Sequence, residues 1–286
     1  MAWSRNTIAP GRRDGKWRRR GRRGRYRALV RWQAYAKTAS LAATSRVREG
    51  VVFWFELVVR ITRLAVYVGL WRVVLRHDPV QRKHVLVYAV LAEALAQLLS
   101  CRTQLEHAFW DGSVTTRFLR PLSIFEQLTL EALGRWLLGL VAFSIPILAF
   151  APFLGVDPRP ASVGTLLGGM ASVVLAVAVG LSIEFLVSGI AIAGGLHPYM
   201  VNSARAAITY TTSGVAIPLA LFPLGVGRVL SWLPFAAMAS APLRILTGTG
   251  RVLPLLASQL AWALLLWPLA RLVWVRSQER VVGFGG

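Results

Sequence analysis

Long apolar runs alternate with short polar breaks along most of the chain. A helix rises about 1.5 Å per residue, so crossing a bilayer takes about 20 mostly apolar residues. Six runs meet that length: residues 53–75, 85–105, 129–153, 163–193, 206–224 and 252–275. The pattern predicts an all-α, polytopic membrane protein with six transmembrane helices. The fourth run is longer than a span requires, so it must tilt, break or leave the bilayer at Gly194-Gly195. Gly164 and Gly168, with Ala171, offer its neighbour a close approach.

Two further segments are patterned differently. Within residues 225–251, "GRVLSWLPFAAMASAPLRILTG" is too apolar for an ordinary loop, yet Pro234 and Pro242 divide it into pieces too short to span. Short outer helices, re-entrant or interfacial, are expected there between helices five and six, with Trp232 at a headgroup boundary. Ahead of the first run, Leu29, Trp32, Tyr35, Ala36 and Ala39 recur near helical spacing. Residues 28–48 are therefore expected to form an amphipathic helix on the inner membrane face.

Charge sharpens this division. Of 286 residues, 55% are hydrophobic and only 16% charged. Residues 1–50 hold 15 Lys and Arg against Asp14 and Glu49, whereas the other 236 hold 18 basic and 10 acidic side chains. Three segments are expected: a basic cytoplasmic tail at 1–27, disordered when unbound, the interfacial helix at 28–48, and a membrane domain at 49–286. The tail's cations are Arg12, Arg13, Lys16, Arg18, Arg19, Arg20, Arg22, Arg23, Arg25 and Arg27. They are expected to face anionic lipid headgroups, each contributing about 1 kcal/mol near a charged surface. Trp17 and Tyr26 interleave with them in a way that also suits RNA, which is the weaker reading beside a membrane domain. An N-terminus held inside by this charge, followed by six spans, places both termini in the cytoplasm. No apolar stretch or cleavage site of a secretory signal follows the arginines.

The chain contains no phosphate-binding G-x-x-x-x-G-K-[ST] loop, no H-E-x-x-H, no C-x-x-C and no G-x-S-x-G. No ATP site, metal site or catalytic residue is therefore expected in it. His77 and His84, with Asp78, read as loop residues, and Cys101 as a small core residue. Ionisable groups inside the apolar runs are expensive and stand out: Arg60, Arg63, Glu93, Arg135 and Glu184, with Glu56 four residues before Arg60. They suit a polar path or a substrate contact. They equally suit ion pairs within the bundle, with arginines reaching toward the inner headgroups.

One polar interruption remains, "EHAFWDGSVTTRFLRPLS" at residues 106–123. The order of six helices, this loop and the later "LPFAAMASAPLRILTG" together resemble the permeases of ATP-binding cassette transporters. They are most similar to the six-helix bacterial subfamily of the type-2 exporter class. There the loop after the second helix has the form G-x-x-x-x-x-L-x-R-P, matched here by Gly112, Leu119, Arg120 and Pro121. The resemblance covers about residues 50–286 and leaves the basic tail unexplained.

The resemblance implies that residues 106–121 form a coupling helix docked on a separate ATPase. Glu106, Phe109, Trp110, Asp111, Gly112, Arg117, Phe118, Leu119, Arg120 and Pro121 are its candidate residues. Phe109, Trp110, Phe118 and Leu119 would fill a pocket, and Arg117 and Arg120 would meet acidic groups of the partner. The plainer alternative is a short loop whose arginines hold topology. The resemblance further implies ATP and Mg on the partner ATPase, a second permease chain (a copy or a relative), and a bacterial cytoplasmic membrane. Export of an amphipathic small molecule or natural product is then expected, or flipping or export of a lipid or glycolipid. A membrane scaffold with a lipid- or RNA-binding tail and an intramembrane enzyme are the readings from other classes.

Overall fold

The computed structural model describes residues 50–96, 102–103, 105, 108, 112, 114–117, 119 and 122–283. The expected tail and interfacial helix lie outside the described residues. The described chain is helical throughout its regular structure. Its helices are α1 (Gly50–Val74), α2 (Pro79–Ala94), the single turn α3 (Val114–Arg117), α4 (Ile124–Phe150), α5 (Val163–Gly194), α6 (Pro198–Thr212), α7 (Val226–Leu230), α8 (Pro234–Met238), α9 (Ser240–Leu246) and α10 (Val252–Gly283).

Local chemistry starts and stops these helices. Asp78 accepts the Gln81 N–H at 2.9 Å ahead of Pro79, so α2 begins with a capped turn and a proline in its first position. Ser123 and Glu126 exchange hydrogen bonds in a capping box that starts α4 at Ile124, five residues before the expected span. Ser162 caps α5 by accepting from Thr165 N–H at 3.1 Å, and Gly195 ends it in the left-handed conformation at φ 62°.

Three helical stretches are long and apolar enough to cross a membrane: Ile124–Leu154, Val163–Gly194 and Val252–Ser277. The 25-residue α1 has the length but carries Glu56, Arg60, Arg63 and Arg72. Most outward residues of α1 are nonetheless apolar, among them Trp54, Phe55, Val58 and Val66, as a lipid-facing surface requires. The second expected span closes early: α2 ends at Ala94, and residues 102 and 103 are not helical.

The seam between α5 and α10 organises the bundle. A Cβ on Gly168 would lie 2.7 Å from Val252, and one on Gly189 would lie 2.5 Å from Val273. A Cβ on Gly169 would overlap Leu246. The close approaches therefore use Gly168, Gly169 and Gly189. Gly164 and Ala171 are exposed instead, so the spacing proposed for the contact was displaced by a few residues. Between the glycine contacts, the Ser172 hydroxyl donates to Gln259 at 2.7 Å, and the Gln259 amide donates to the carbonyls of Ser172 and Ala237. Contacts advance together along both helices, so α5 and α10 run parallel.

Parallel helices joined in sequence require the intervening chain to travel back along the bundle. The fifth expected span, 206–224, is not a continuous helix. The return is made by α6 and then by non-helical residues 213–218. Its break is accommodated inside protein: the buried Tyr88 hydroxyl donates to the Gly214 carbonyl at 2.7 Å. Free backbone groups at such depth must find internal partners. The expected short helices follow as α7, α8 and α9. Met238 and Ala239 pack with Val179, Ile183 and Leu266, and Leu243 packs with Tyr88, Leu91 and Ala92. Residues 234–246 therefore dip among the long helices rather than lying on them.

Gly214 has φ +81°, and a Cβ there would meet the Leu219 Cγ at 2.8 Å. Gly195 is also left-handed at φ +62° but has open space around it. Gly214→Ala is expected to destabilise by about 2–3 kcal/mol, and Gly195→Ala by about 1 kcal/mol. Denaturation in mild detergent measures both; equal losses would show that the break at Gly214 is not sterically constrained.

Candidate functional site

The ionisable residues of the apolar runs are gathered into two groups by side chains that lie far apart in sequence. In the first, Glu93 of α2 is 4% exposed and accepts from Arg63 of α1, with Nε to Oε2 at 2.9 Å and a second, shorter contact from Nη2 to Oε1. Arg60, one turn earlier, donates to Glu56 at 2.7 Å and stands over the Phe143 ring at 4.4 Å. Its Nη1 lies 3.9 Å from Glu93, an ion-pair distance too long for a hydrogen bond. Phe53 stacks on the same ring, so α1, α2 and α4 meet around one buried charge cluster.

In the second group, Glu184 of α5 is 1% exposed and receives Arg205 of α6 at 3.1 Å and the Thr103 N–H at 3.0 Å. Glu184 thus fastens α6 and the segment after α2 to α5. The expected spans 163–193 and 206–224 leave Arg205 at the end of the loop between them. Helix α6 starts at Pro198, and that earlier start puts Arg205 inside. Pro198 directly after the capping His197 was the available signal.

Arg135, expected with the deep charges, lies elsewhere. It sits 3.9 Å from Glu131 and donates to the Arg102 carbonyl at 3.2 Å. Glu131 also holds Arg117 of α3 at 2.8 Å. The Gln127 amide donates to the carbonyls of Arg117 and Leu122 at 3.0 and 2.7 Å, so α4 clasps α3 and the turn after it. Arg117 is engaged within its own chain. Leu119 projects from the segment at 88% exposed, and Gly112 turns it with φ +72°. Glu106, Phe109, Trp110, Asp111, Phe118, Arg120 and Pro121 lie outside the described residues.

The two buried clusters face a common cavity of about 190 Å³, lined by Arg60, Arg63, Arg102 and Arg205 with Thr209 and Tyr210. Of these, only Arg60 and Arg63 were among the expected positions. Arg102, Thr209 and Tyr210 carry no signal in an isolated sequence, because each lies at the edge of an apolar run where polar residues are ordinary.

A family model described as ABC-2 family transporter protein matches residues 82–285, well over half of the chain. No curated protein and no solved structure matches it.

The Glu184–Arg205 pair can be tested by removing its members separately and together. Glu184→Gln leaves the buried Arg205 without its carboxylate and is expected to cost about 3–5 kcal/mol. Adding Arg205→Met removes the stranded charge and should recover most of that loss in a denaturation measurement. A double variant no more stable than Glu184→Gln would contradict the pairing.

Proposed function

The chain belongs to the ABC-2 transporter family, whose membrane proteins associate with ATP-binding cassette ATPases; we propose that it is the permease subunit of an ATP-driven exporter. The observation that carries this reading is the family match across 82–285, which takes in α4, α5 and α10, the helices able to cross a membrane. ATP and Mg bind on the partner ATPase, in keeping with a chain that lacks a phosphate-binding loop. A second permease chain completes the translocation unit. The cargo is an amphipathic small molecule or natural product moved out of the cell.

In this reading the chain crosses the bacterial cytoplasmic membrane six times, the fifth crossing being the broken one. The basic tail and interfacial helix lie on the cytoplasmic face, and both termini are cytoplasmic. The coupling segment takes up ATPase movement and delivers it to α4. Its support is the Gln127 and Glu131 clasp, which ties α3 firmly to the start of a long helix. A lever of this kind needs one end held by its own chain and one end open to a partner, as Leu119 is.

Leu119→Ala is expected to weaken ATPase association by about 1–3 kcal/mol, as truncation of an interface anchor does. Arg117→Ala should act differently, loosening the segment from Glu131 and lowering transport-coupled hydrolysis more than binding. Co-purification of the ATPase and substrate-stimulated hydrolysis are the two measurements, with monodispersity in detergent as the folding control. Full binding and full transport by a well-folded Leu119→Ala would remove this segment from the coupling role.

A further inference from the structure

The cavity between α1, α6 and the segment after α2 is lined chiefly by cations. Arg60, Arg63, Arg102 and Arg205 line it, and Glu56 is the acid among its lining residues. Counting Glu93 and Glu184 behind the lining, four guanidinium groups face three carboxylates among the described residues, an excess of one positive charge there. Two of the arginines are more than nine-tenths buried, Arg60 at 8% and Arg205 at 6% exposed. Each retains a buried N–H with no acceptor, Nη1 of Arg60 and Nε of Arg205. Buried donors normally find partners, and a guanidinium offers five in fixed directions. The Arg102 side chain makes no hydrogen bond or ion pair among the described residues.

We propose that this cavity binds a phosphate group through Arg60, Arg63, Arg102 and Arg205. The lining guanidinium groups come from separate elements, α1, α6 and the segment after α2, and so approach from different sides. That suits a tetrahedral oxyanion with acceptors on all sides better than a planar carboxylate. A bound phosphate would meet the lining guanidinium groups and neutralise the excess charge. The hydroxyl groups of Thr209 and Tyr210 stand at the same cavity and can donate to a further oxygen. A volume of about 190 Å³ is small beside the 300–1,000 Å³ of drug-sized sites, so the cavity holds a headgroup and not a whole amphiphile. Val59 lines it on α1 beside the exposed apolar residues Phe55 and Val58, a surface that an acyl chain could follow. The phosphate can thus come from a lipid headgroup or from free phosphate.

The test needs no ATPase and no assumption about transport, so its failure would leave the permease reading standing. The full chain in neutral detergent at high salt is titrated with dioctanoyl phosphatidic acid, with inorganic phosphate, and with dioctanoylglycerol as the phosphate-free control. Binding is followed by thermal stabilisation and by native mass spectrometry. Arg102→Gln is the chief variant, because its side chain holds nothing else among the described residues and every variant retains the basic residues 12–27. The expected result is stabilisation by phosphatidic acid but not by dioctanoylglycerol, with affinity lowered about tenfold in Arg102→Gln. Binding of phosphatidic acid alone would identify a lipid headgroup as the source, and binding of inorganic phosphate a free one. The inference is overturned if neither binds. It is equally overturned if both Arg102→Gln and Arg205→Gln, with unliganded melting close to wild type, bind as well as the unaltered chain. Should Arg205→Gln melt early, Arg102→Gln alone decides.

Discussion

The parallel seam of α5 and α10 is the constraint from which most of the remaining architecture follows. Two helices running side by side in one direction cannot be joined by a simple turn. The chain between them must return, and here it does so without a single continuous helix. Small residues at Gly168, Gly169 and Gly189 let the helix axes and Leu246 come close, which is how helices gain packing energy where lipid supplies no hydrophobic drive. The Ser172–Gln259 hydrogen bonds add direction, and through the Ala237 carbonyl they bind the inward dip to the same seam. The break at Gly214 is tolerable because Tyr88 supplies a donor at that depth.

Two buried carboxylates do for the other half of the bundle what glycine does for the seam. Glu93 draws Arg63, and more loosely Arg60, across from α1; Glu184 draws Arg205 and the Thr103 N–H onto α5. Charges in such surroundings are costly unless paired, so each carboxylate specifies its neighbours rather than simply adding stability. The arginines outnumber the acids around the cavity, and the surplus donors make that cavity chemically distinct from the apolar contacts around it. Polar groups of α1, α6 and the segment after α2 converge on this cavity.

At the loop end of the bundle, a different logic applies. Helix α3 is a single turn and could not hold its position through its own hydrogen bonds. Gln127 and Glu131, one turn apart on α4, hold it by its carbonyl and its arginine. On the same helix, two residues before Gln127, Phe125 stacks on Phe185 in the core.

Apolar run length and the placement of prolines are local properties, and they were legible directly: the all-helical class, the courses of α1, α4, α5 and the apolar part of α10 to within a few residues, and the short helices around Pro234 and Pro242. The pairing of Arg60 and Arg63 with Glu93 was open beforehand, since spacing along one helix cannot say which helix stands opposite. Only the tertiary structure decided that Glu184 meets Arg205, that Arg117 turns inward to Glu131, and that Arg102 is left over. It also decided that the fifth run breaks. An apolar run reports its preference for lipid, whereas continuity depends on what packs against it, and the parallel neighbours α5 and α10 leave room there for a helix, a turn and a dip. Charge partners follow from three-dimensional proximity, which sequence separations of 30, 14 and 21 residues do not encode.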